Sequence, residues 1–425
     1  MAGSAYEEVW RAELPHVLAA LTRRYGHFED CEDAAQQALI AAARQWPREG
    51  LPDKPRAWLL RVASRRLIDH LRQEQSRRSR EAAAGRADGM EGDSPAQPGL
   101  ADPDDALELM VLCCHPALSR SSQVALTLRA VAGLTTREIA AGFLVPEATM
   151  AQRISRAKAT LTTVGARFPT PSPSELPGRL LAVRHAISVL FTEGHMRTAG
   201  TDATDGGFTA EAIGLARKLL AAAPADPENA GLLSLLLLTQ ARAPARLDEH
   251  GDLVPLAEQD RRRWDRDLIE EGMRLVEDAL PRGYVGAFQL QAAIAAVHAE
   301  SASANETDWP QILVLYRMLE RIAPSGATTI GLATATAEVN GPKAGLDVLR
   351  SVDDERNHRY HAVRGHLLAR LGDTGGARDA FATAARLTRS VPEQRYLIRA
   401  AAAQGDNEIR ASDLIDPLAI SKSAR

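Results

Sequence analysis

The chain predicts an all-α protein: two small helical domains, the second a helix-turn-helix, followed by an irregular tetratricopeptide-like α-solenoid. Three observations lead there. Of 425 residues, 76 are alanine and only 18 are aromatic. Alanine is the best helix former, whereas strands are built from β-branched and aromatic residues, so a large sandwich or barrel is disfavoured. Apolar residues recur at helical spacing through most of the chain, and two polar, Pro- and Gly-containing segments divide it.

Residues 29–46 form the first clear helix, with Ala35, Leu39, Ala42 and Trp46 at helical spacing. Trp46-Pro47 and Gly50-Leu51-Pro52 are expected to break it. A second helix starts near Pro55, a residue suited to a first turn, and runs to about Arg80. Leu60, Ala63, Leu67 and Leu71 share one face of it, and Arg61, Arg65 and Arg72 share the far face. Residues 81–104 hold four Gly, three Pro and many acids, the composition of a flexible linker. Helices resume at Asp105 and continue to about Gly165, and 168–174 (FPTPSPS) is a second break.

Within the second domain, 134–161 reads LTTREIAAGFLVPEATMAQRISRAKATL. Thr135 and Glu138 make a capping box that opens a short helix. Ala140 is small where a second helix must cross, Leu144-Val145 turns the chain, and Pro146 is placed at the first position of the next helix beside Glu147. On that helix Met150, Ile154, Ala157 and Leu161 form the buried stripe. Thr149, Gln152, Arg153, Arg156 and Thr160 form a polar stripe able to read major-groove base edges: Gln pairs with adenine, Arg with guanine, Thr with a thymine methyl or a phosphate. Ordinary helix packing with a solvated basic face is the competing reading.

From 175 to about 405, short helices succeed one another with traces of a 34-residue period. Gly365, Ala377, Phe381 and Ala384 sit at the consensus offsets. So do Ala212, Ala216, Leu219 and Pro224, and Ile312, Tyr316, Leu319 and Pro324. The other units are degenerate, hence an irregular stack of hairpins with a tail from residue 406.

The net charge of −4 is an average over blocks. Residues 1–53 carry −4, 54–80 carry +7, 81–108 carry −7, 109–168 carry +5, and 169–425 carry −5. Two basic islands of this kind attract phosphate backbones. No apolar run reaches the roughly 18 residues of a membrane span, and the longest, 232–238, contains Ser234. MAGSAYEEVW is acidic and lacks the apolar core of a secretory signal. Three cysteines do not make a disulfide framework, and a reducing cytoplasm is expected.

Several side chains have two readings. Arg61, Arg65 and Arg72 are a DNA contact or a solvated face. Trp46 and Trp58 are bases' stacking partners or, the preferred reading, core. Cys113-Cys114-His115 lacks a second ligand pair, and packing is expected in place of a metal. Glu193 and His195 in FTEGH come with no nucleophile, and no Gly-rich phosphate loop exists, so they are read as a polar interdomain contact. The acids at 248–271 are read as helix-surface charges. No enzyme constellation is present, and no cofactor is implied.

Taken together, YGHFEDCEDAAQQALIAAARQWP (25–47), PRAWLLRVASRRLIDHLR (55–72) and the helix-turn-helix at 134–161 resemble the sigma-70 family, specifically extracytoplasmic-function sigma factors. The stretch 113–161, which begins CCHPALSRSSQVALTLRAVAGL, is similar to one subgroup with a long tetratricopeptide-like C-terminal extension. FTEGH (191–195), EQDRRRWDRDLIEEG (258–272) and 284–316 are similar to that extension. The resemblance implies that residues 1–80 are sigma region 2. Asp30, Glu32, Asp33, Gln36 and Gln37 would then dock on the clamp helices of core RNA polymerase, and Arg61, Arg65 and Arg72 would melt and hold the −10 element, where a base is flipped from the stack. Ser64-Arg65 departs from the Arg-Asn of many relatives, which bears on −10 selection. Residues 105–168 would be region 4, facing the polymerase flap, with Thr149, Gln152, Arg153, Arg156 and Thr160 on the −35 element. Residues 81–104 would be the linker; 24 flexible residues reach about 25–30 Å. The 175–405 extension would regulate in cis, packing on the two domains or receiving a signal, with a regulatory protein or peptide as its partner. The runner-up is a helix-turn-helix repressor or activator with a tetratricopeptide sensor, binding an operator without polymerase.

Overall fold

The computed structural model describes residues 2–26, 28–83, 105–143, 145–164, 174–197, 206–352, 357–388 and 390–404. The all-α expectation holds: the described residues form eighteen α-helices, and their only strand-like pairing is an isolated bridge between Leu247 and Leu253. Residues 84–104, 144, 165–173 and 405–425 lie outside the described residues, and with them most of the expected linker at 81–104, all but Ser174 of the expected break at 168–174, and the expected tail from 406; residues 81–83 belong to the third helix. Among the described residues no helix is long and apolar enough to cross a membrane. The helices cluster into two compact units, Met1–Ala186 and Ile187–Arg425.

In the first unit, α1 (Ala2–Tyr25), α2 (Phe28–Glu49) and α3 (Pro55–Ala83) pack pairwise. Their shared core is Leu14, Val17, Leu18 and Leu21 from α1, Ala35, Ala38, Ala42 and Trp46 from α2, and Leu59, Ala63 and Leu67 from α3, all buried. One expectation is corrected. α2 does not break at Trp46-Pro47 but runs to Glu49 with Pro47 inside it. The proline ring holds a φ that a helix accepts and deletes one hydrogen bond near the helix end. Gly50 is the true stop: it adopts φ +89, and its N–H donates to the Trp46 carbonyl at 2.9 Å. α4 (Asp105–Cys113), α5 (Arg120–Ala130), α6 (Thr136–Gly142) and α7 (Glu147–Thr163) complete the unit, with the first part of α8 (Leu176–Arg197). Cys113 and Cys114 are fully buried beside Leu109, Met110 and Leu126, as the packing reading expected. Burial pushes the Cys114 thiol up to about 12, partly offset by Thr127, and so keeps it protonated and inert.

The second unit continues from α8 through α9 (Gly206–Ala222), α10 (Pro227–Gln240), α11 (Arg266–Ala279), α12 (Ala287–Glu300), α13 (Trp309–Ile322), α14 (Gly326–Asn340), α15 (Pro342–Leu349), α16 (His358–Arg370), α17 (Thr374–Leu387) and α18 (Val391–Ala402), each packed on its neighbours in sequence. The 232–238 run lies on α10, which touches α9, α11 and α12 and is therefore apolar all round. Ser234 is tolerated there because its hydroxyl donates to the Gly272 carbonyl at 2.7 Å. Close crossings use glycine. A Cβ at Gly331 would lie 2.3 Å from the Tyr316 ring, and one at Gly365 would lie 2.8 Å from Phe381. Tyr316, Phe381, Ala377, Ala384, Ala212, Ala216 and Leu219, picked out by their period, are all buried.

A second correction concerns 248–265. These residues are a loop with short 3-10 turns, not a helix surface; α11 begins only at Arg266. The loop's acids act locally. The Asp248 carboxylate accepts N–H groups of His250 and Asp252, and Asp260 and Asp265 cap the turns next to them. Arg261 is buried, donating to the carbonyls of His298 (2.8 Å) and Ser301 (2.6 Å) and to Thr307 (3.3 Å), with its guanidinium 5.0 Å from the centre of Trp264. His195 is also buried and stacks on Phe191 at 5.4 Å, a contact inside the second unit.

Candidate nucleic-acid interface

α3 owes its start to Pro55 and its orientation to its apolar face, which leaves the opposite face of the helix open. Arg61, Arg65 and Arg72 are placed there, and all three line one open groove of about 1010 Å³. The C-terminus of α1 adds Arg24 and Tyr25, the turn before α3 adds Asp53 and Lys54, and α3 itself adds Trp58 and Asp69. Five cations therefore face two carboxylates, and two aromatic rings stand among them. A cationic track with aromatic platforms suits single-stranded nucleic acid, where the backbone is neutralised and bases stack.

Both readings of the tryptophans find a place. Trp46 is 1% exposed and sits in an aromatic cluster with Tyr6 and Trp10, at centroid distances of 6.1 and 6.0 Å. The Tyr6 hydroxyl also donates to the Trp46 carbonyl at 3.3 Å. Trp46 meets Trp58 edge to face at 5.6 Å. Trp58 is half-buried, supported by Trp46 and lining the groove. Arg24 and Tyr25 were not singled out from the sequence; their guanidinium-to-ring distance is 5.4 Å. Nothing in the periodicity of α1 marks its last two residues, and only the packing of α1 on α3 brings them to the groove.

The second candidate surface is α7. Thr135 and Glu138 form the expected capping box: Glu138 accepts from the Thr135 N–H at 2.7 Å, and the Glu138 N–H donates to the Thr135 hydroxyl at 3.2 Å. Pro146 is the N-cap, one position before its expected place, and Glu147 leads the first turn. Met150, Ile154, Ala157 and Leu161 are buried as expected. Thr149, Gln152 and Arg156 are exposed, and Arg153 and Thr160 are half-buried. The Thr160 hydroxyl donates to the Arg156 carbonyl at 2.9 Å, which turns this side chain toward its own helix.

The acidic row on α2 is split. Asp33 and Gln37 differ from their neighbours in exposure: Gln37 is exposed and Asp33 also faces solvent, with Ile40, an exposed apolar residue, one turn beyond Gln37. Gln36 is half-buried, and Asp30 lies 3.6 Å from His70. Glu32 is buried at 3% exposure. Its carboxylate accepts from Arg129 of α5 at 3.0 Å, and Lys158 of α7 lies against its other oxygen. Arg129 also donates to the Leu134 carbonyl at 3.2 Å. Sequence reasoning missed Arg129 and Lys158, because a pairing across 97 residues leaves no periodic trace.

Residues 9–77 match the family described as Sigma-70 region 2, and residues 108–161 match that described as Sigma-70, region 4. Residues 179–280 match a family of unknown function (DUF6596). The chain is 39% identical over 392 residues, 90% of its length and 92% of the relative's, to "Uncharacterized protein R00370" of Rhizobium meliloti (strain 1021). No solved structure matches it. The first match spans α1 to α3 with the groove, and the second spans α4 to α7 with the helix-turn-helix.

Proposed function

The chain belongs to the sigma-70 family, and from that premise we propose that it is an extracytoplasmic-function sigma factor whose tetratricopeptide-like extension regulates it in cis. It binds core RNA polymerase in the cytoplasm and directs promoter-specific initiation; it is not an enzyme. Asp30, Asp33, Gln36 and Gln37 of α2 meet the clamp helices, while Glu32, expected among them, is buried against Arg129 and Lys158. Arg61, Arg65 and Arg72 hold the opened strand of the −10 element, with Trp58 and Tyr25 as stacking surfaces. Thr149, Gln152, Arg153, Arg156 and Thr160 read the −35 element from the major groove. Two weak contacts on one chain become strong through effective concentration.

The observation that carries this reading is the groove. Three arginines that the sequence placed on one face of α3 line it together with two aromatic rings, as melted DNA requires. Region 4 alone would suit an operator-binding repressor; a single-strand groove in the same chain would have no use there. A relative 39% identical over 90% of the chain joins a similar extension to the sigma regions. Run-off transcription with purified core polymerase tests the reading: a promoter-specific product is expected only when the protein is added. Tight operator binding by the free protein, with no transcript, would refute it.

A further inference from the structure

α10 and α11 pack on each other, yet the 25 residues of 241–265 separate them. A helix hairpin needs about 2–8 residues for such a turn, and a loop of more than about 12–15 is uncommon without a use of its own. This one leaves and returns at a single point, where the Asp265 N–H donates to the Ala241 carbonyl at 2.9 Å. Its tip is a tight hairpin. Leu247 pairs with Leu253, the Val254 N–H donates to the Arg246 carbonyl at 2.8 Å, and Gly251 turns the chain with φ +75. That tip reaches α18. The Asp252 carboxylate lies 3.6 Å from Arg395 and pairs with Arg399, and Leu253 packs on the core shared by α14 to α18. Pro255 and Leu256, which follow, are buried. The anchored stretch therefore reads Asp252-Leu253-Val254-Pro255-Leu256.

The same order of residue types recurs in the sequence beyond α18. Residues 413–418 read Asp-Leu-Ile-Asp-Pro-Leu, which differs from the anchored stretch by Ile for Val and by one inserted acid. We infer that the Arg395–Arg399 pair of α18 is a docking seat for an acid-led, proline-containing apolar segment, that the 246–256 hairpin fills it in this structure, and that residues 413–418 compete for the same seat. Charge favours that occupant: residues 405–416 carry four acids and one arginine. Reach allows it. Arg399 lies about 8 Å back along the helix from Gln404 at 1.5 Å per residue, and the nine residues on to Asp413 span up to about 30 Å. The seat is also easily vacated. Both guanidiniums are more than half exposed, at 56% and 55%, and ion pairs of that kind are weak. Both segments are tethered, so effective concentration favours exchange between them over capture of a free peptide. One pair of arginines cannot seat both, and docking of 413–418 frees the hairpin tip. The inference concerns the second unit alone and goes beyond the proposed promoter contacts.

The test places the photo-crosslinking residue p-benzoylphenylalanine at position 398 of the full chain, where Ile398 is exposed on α18 between the two arginines. Mass spectrometry then maps the linked peptides. In the parent, links are expected chiefly on 246–256. Asp252→Lys, which sets a third cation against Arg395 and Arg399, should raise the share on 411–418 by about threefold or more. Asp252→Asn, which only removes the charge, should shift it the same way by less. Adding Asp413→Lys should cancel the gain, which mere tethering of the tail beside α18 would not do. Circular dichroism should show each variant folded. A folded Asp252→Lys or Asp252→Asn variant whose links stay on the hairpin, or leave it without arriving on 411–418, would overturn the exchange. Links to 411–418 that survive Asp413→Lys would overturn the seat. The sigma reading stands or falls separately, by the run-off assay.

Discussion

Trp58→Ala removes a wall of the α3 groove and an aromatic contact in the same stroke, and the two effects are separable. The ring of Trp58 meets Trp46 edge to face at 5.6 Å with an interplanar angle of 66°. Such pairs are worth about 0.5–1.5 kcal/mol beyond their buried area. Trp58 is only half-buried, so the folding loss should stay near 2 kcal/mol. Stacking of an unpaired base on an aromatic ring contributes about 1–3 kcal/mol, which is roughly 5- to 150-fold in the stability of the opened complex. A promoter carrying 2-aminopurine in the −10 element reports opening by its fluorescence, and urea melts of the free protein report folding. Opening should fall within that range while the protein remains folded, and Trp58→Phe should recover most of it. A variant with a lowered urea midpoint and unchanged opening would refute the stacking role and leave Trp58 as support for Trp46 alone.

Arg156→Ala should cost about 1–3 kcal/mol in discrimination at one −35 base pair if its exposed guanidinium reads that base; equal binding to matched and mutated elements would refute the assignment. Gly331→Ala forces a methyl to 2.3 Å from the Tyr316 ring, and the overpacking cost of about 1–3 kcal/mol should outweigh the helix propensity gained. A raised urea midpoint would count against this packing. Acid should loosen the second unit early. His298 is buried and its pKa is held down to about 3, by burial first and then by Arg242 and Arg261. Its folded value lies below the unfolded value, so the stability it contributes is complete above pH 6.5 and is lost as pH falls toward 3. At pH 5 the loss is about 2 kcal/mol. His298→Leu should flatten the stability profile between pH 5 and 6.5, and an unchanged slope would refute the attribution.

Much of the interface was legible in the residues. The positions of Arg61, Arg65 and Arg72 on one face follow from 100° per residue, and the capping box at Thr135 and Glu138 is a local pattern with a local cause. The buried stripe of α7 is legible for the same reason. Local signals erred where two effects compete within a few residues. Pro47 suggested a break, but a proline near a helix end removes only one bond, and the stop belongs to Gly50. The charges at 248–271 suggest a helix surface because arginines alternate with acids there, which holds only from Arg266 on. The loop instead forms because Asp248, Asp260 and Asp265 bond their own following N–H groups. Arg261, with charged neighbours on both sides in the sequence, is buried because the carbonyls of His298 and Ser301 need its donors.

By itself the amino-acid sequence determined the helical class, the starts of α2, α3, α6 and α7, the apolar faces of α2, α3 and α7 and the charge of the two basic islands. Each of these depends on neighbours within a turn or two. Only the tertiary structure decided which faces meet. It brought Tyr25 and Arg24 to the groove of α3, set Tyr316 over Gly331, and paired Glu32 with Arg129 and Lys158. A periodic pattern states which side of a helix avoids water, and every other apolar side in the chain satisfies that demand equally. The choice among them falls to shape, to the fit of a ring over a glycine and of a buried carboxylate between two cations, and those exist only once distant segments are packed together.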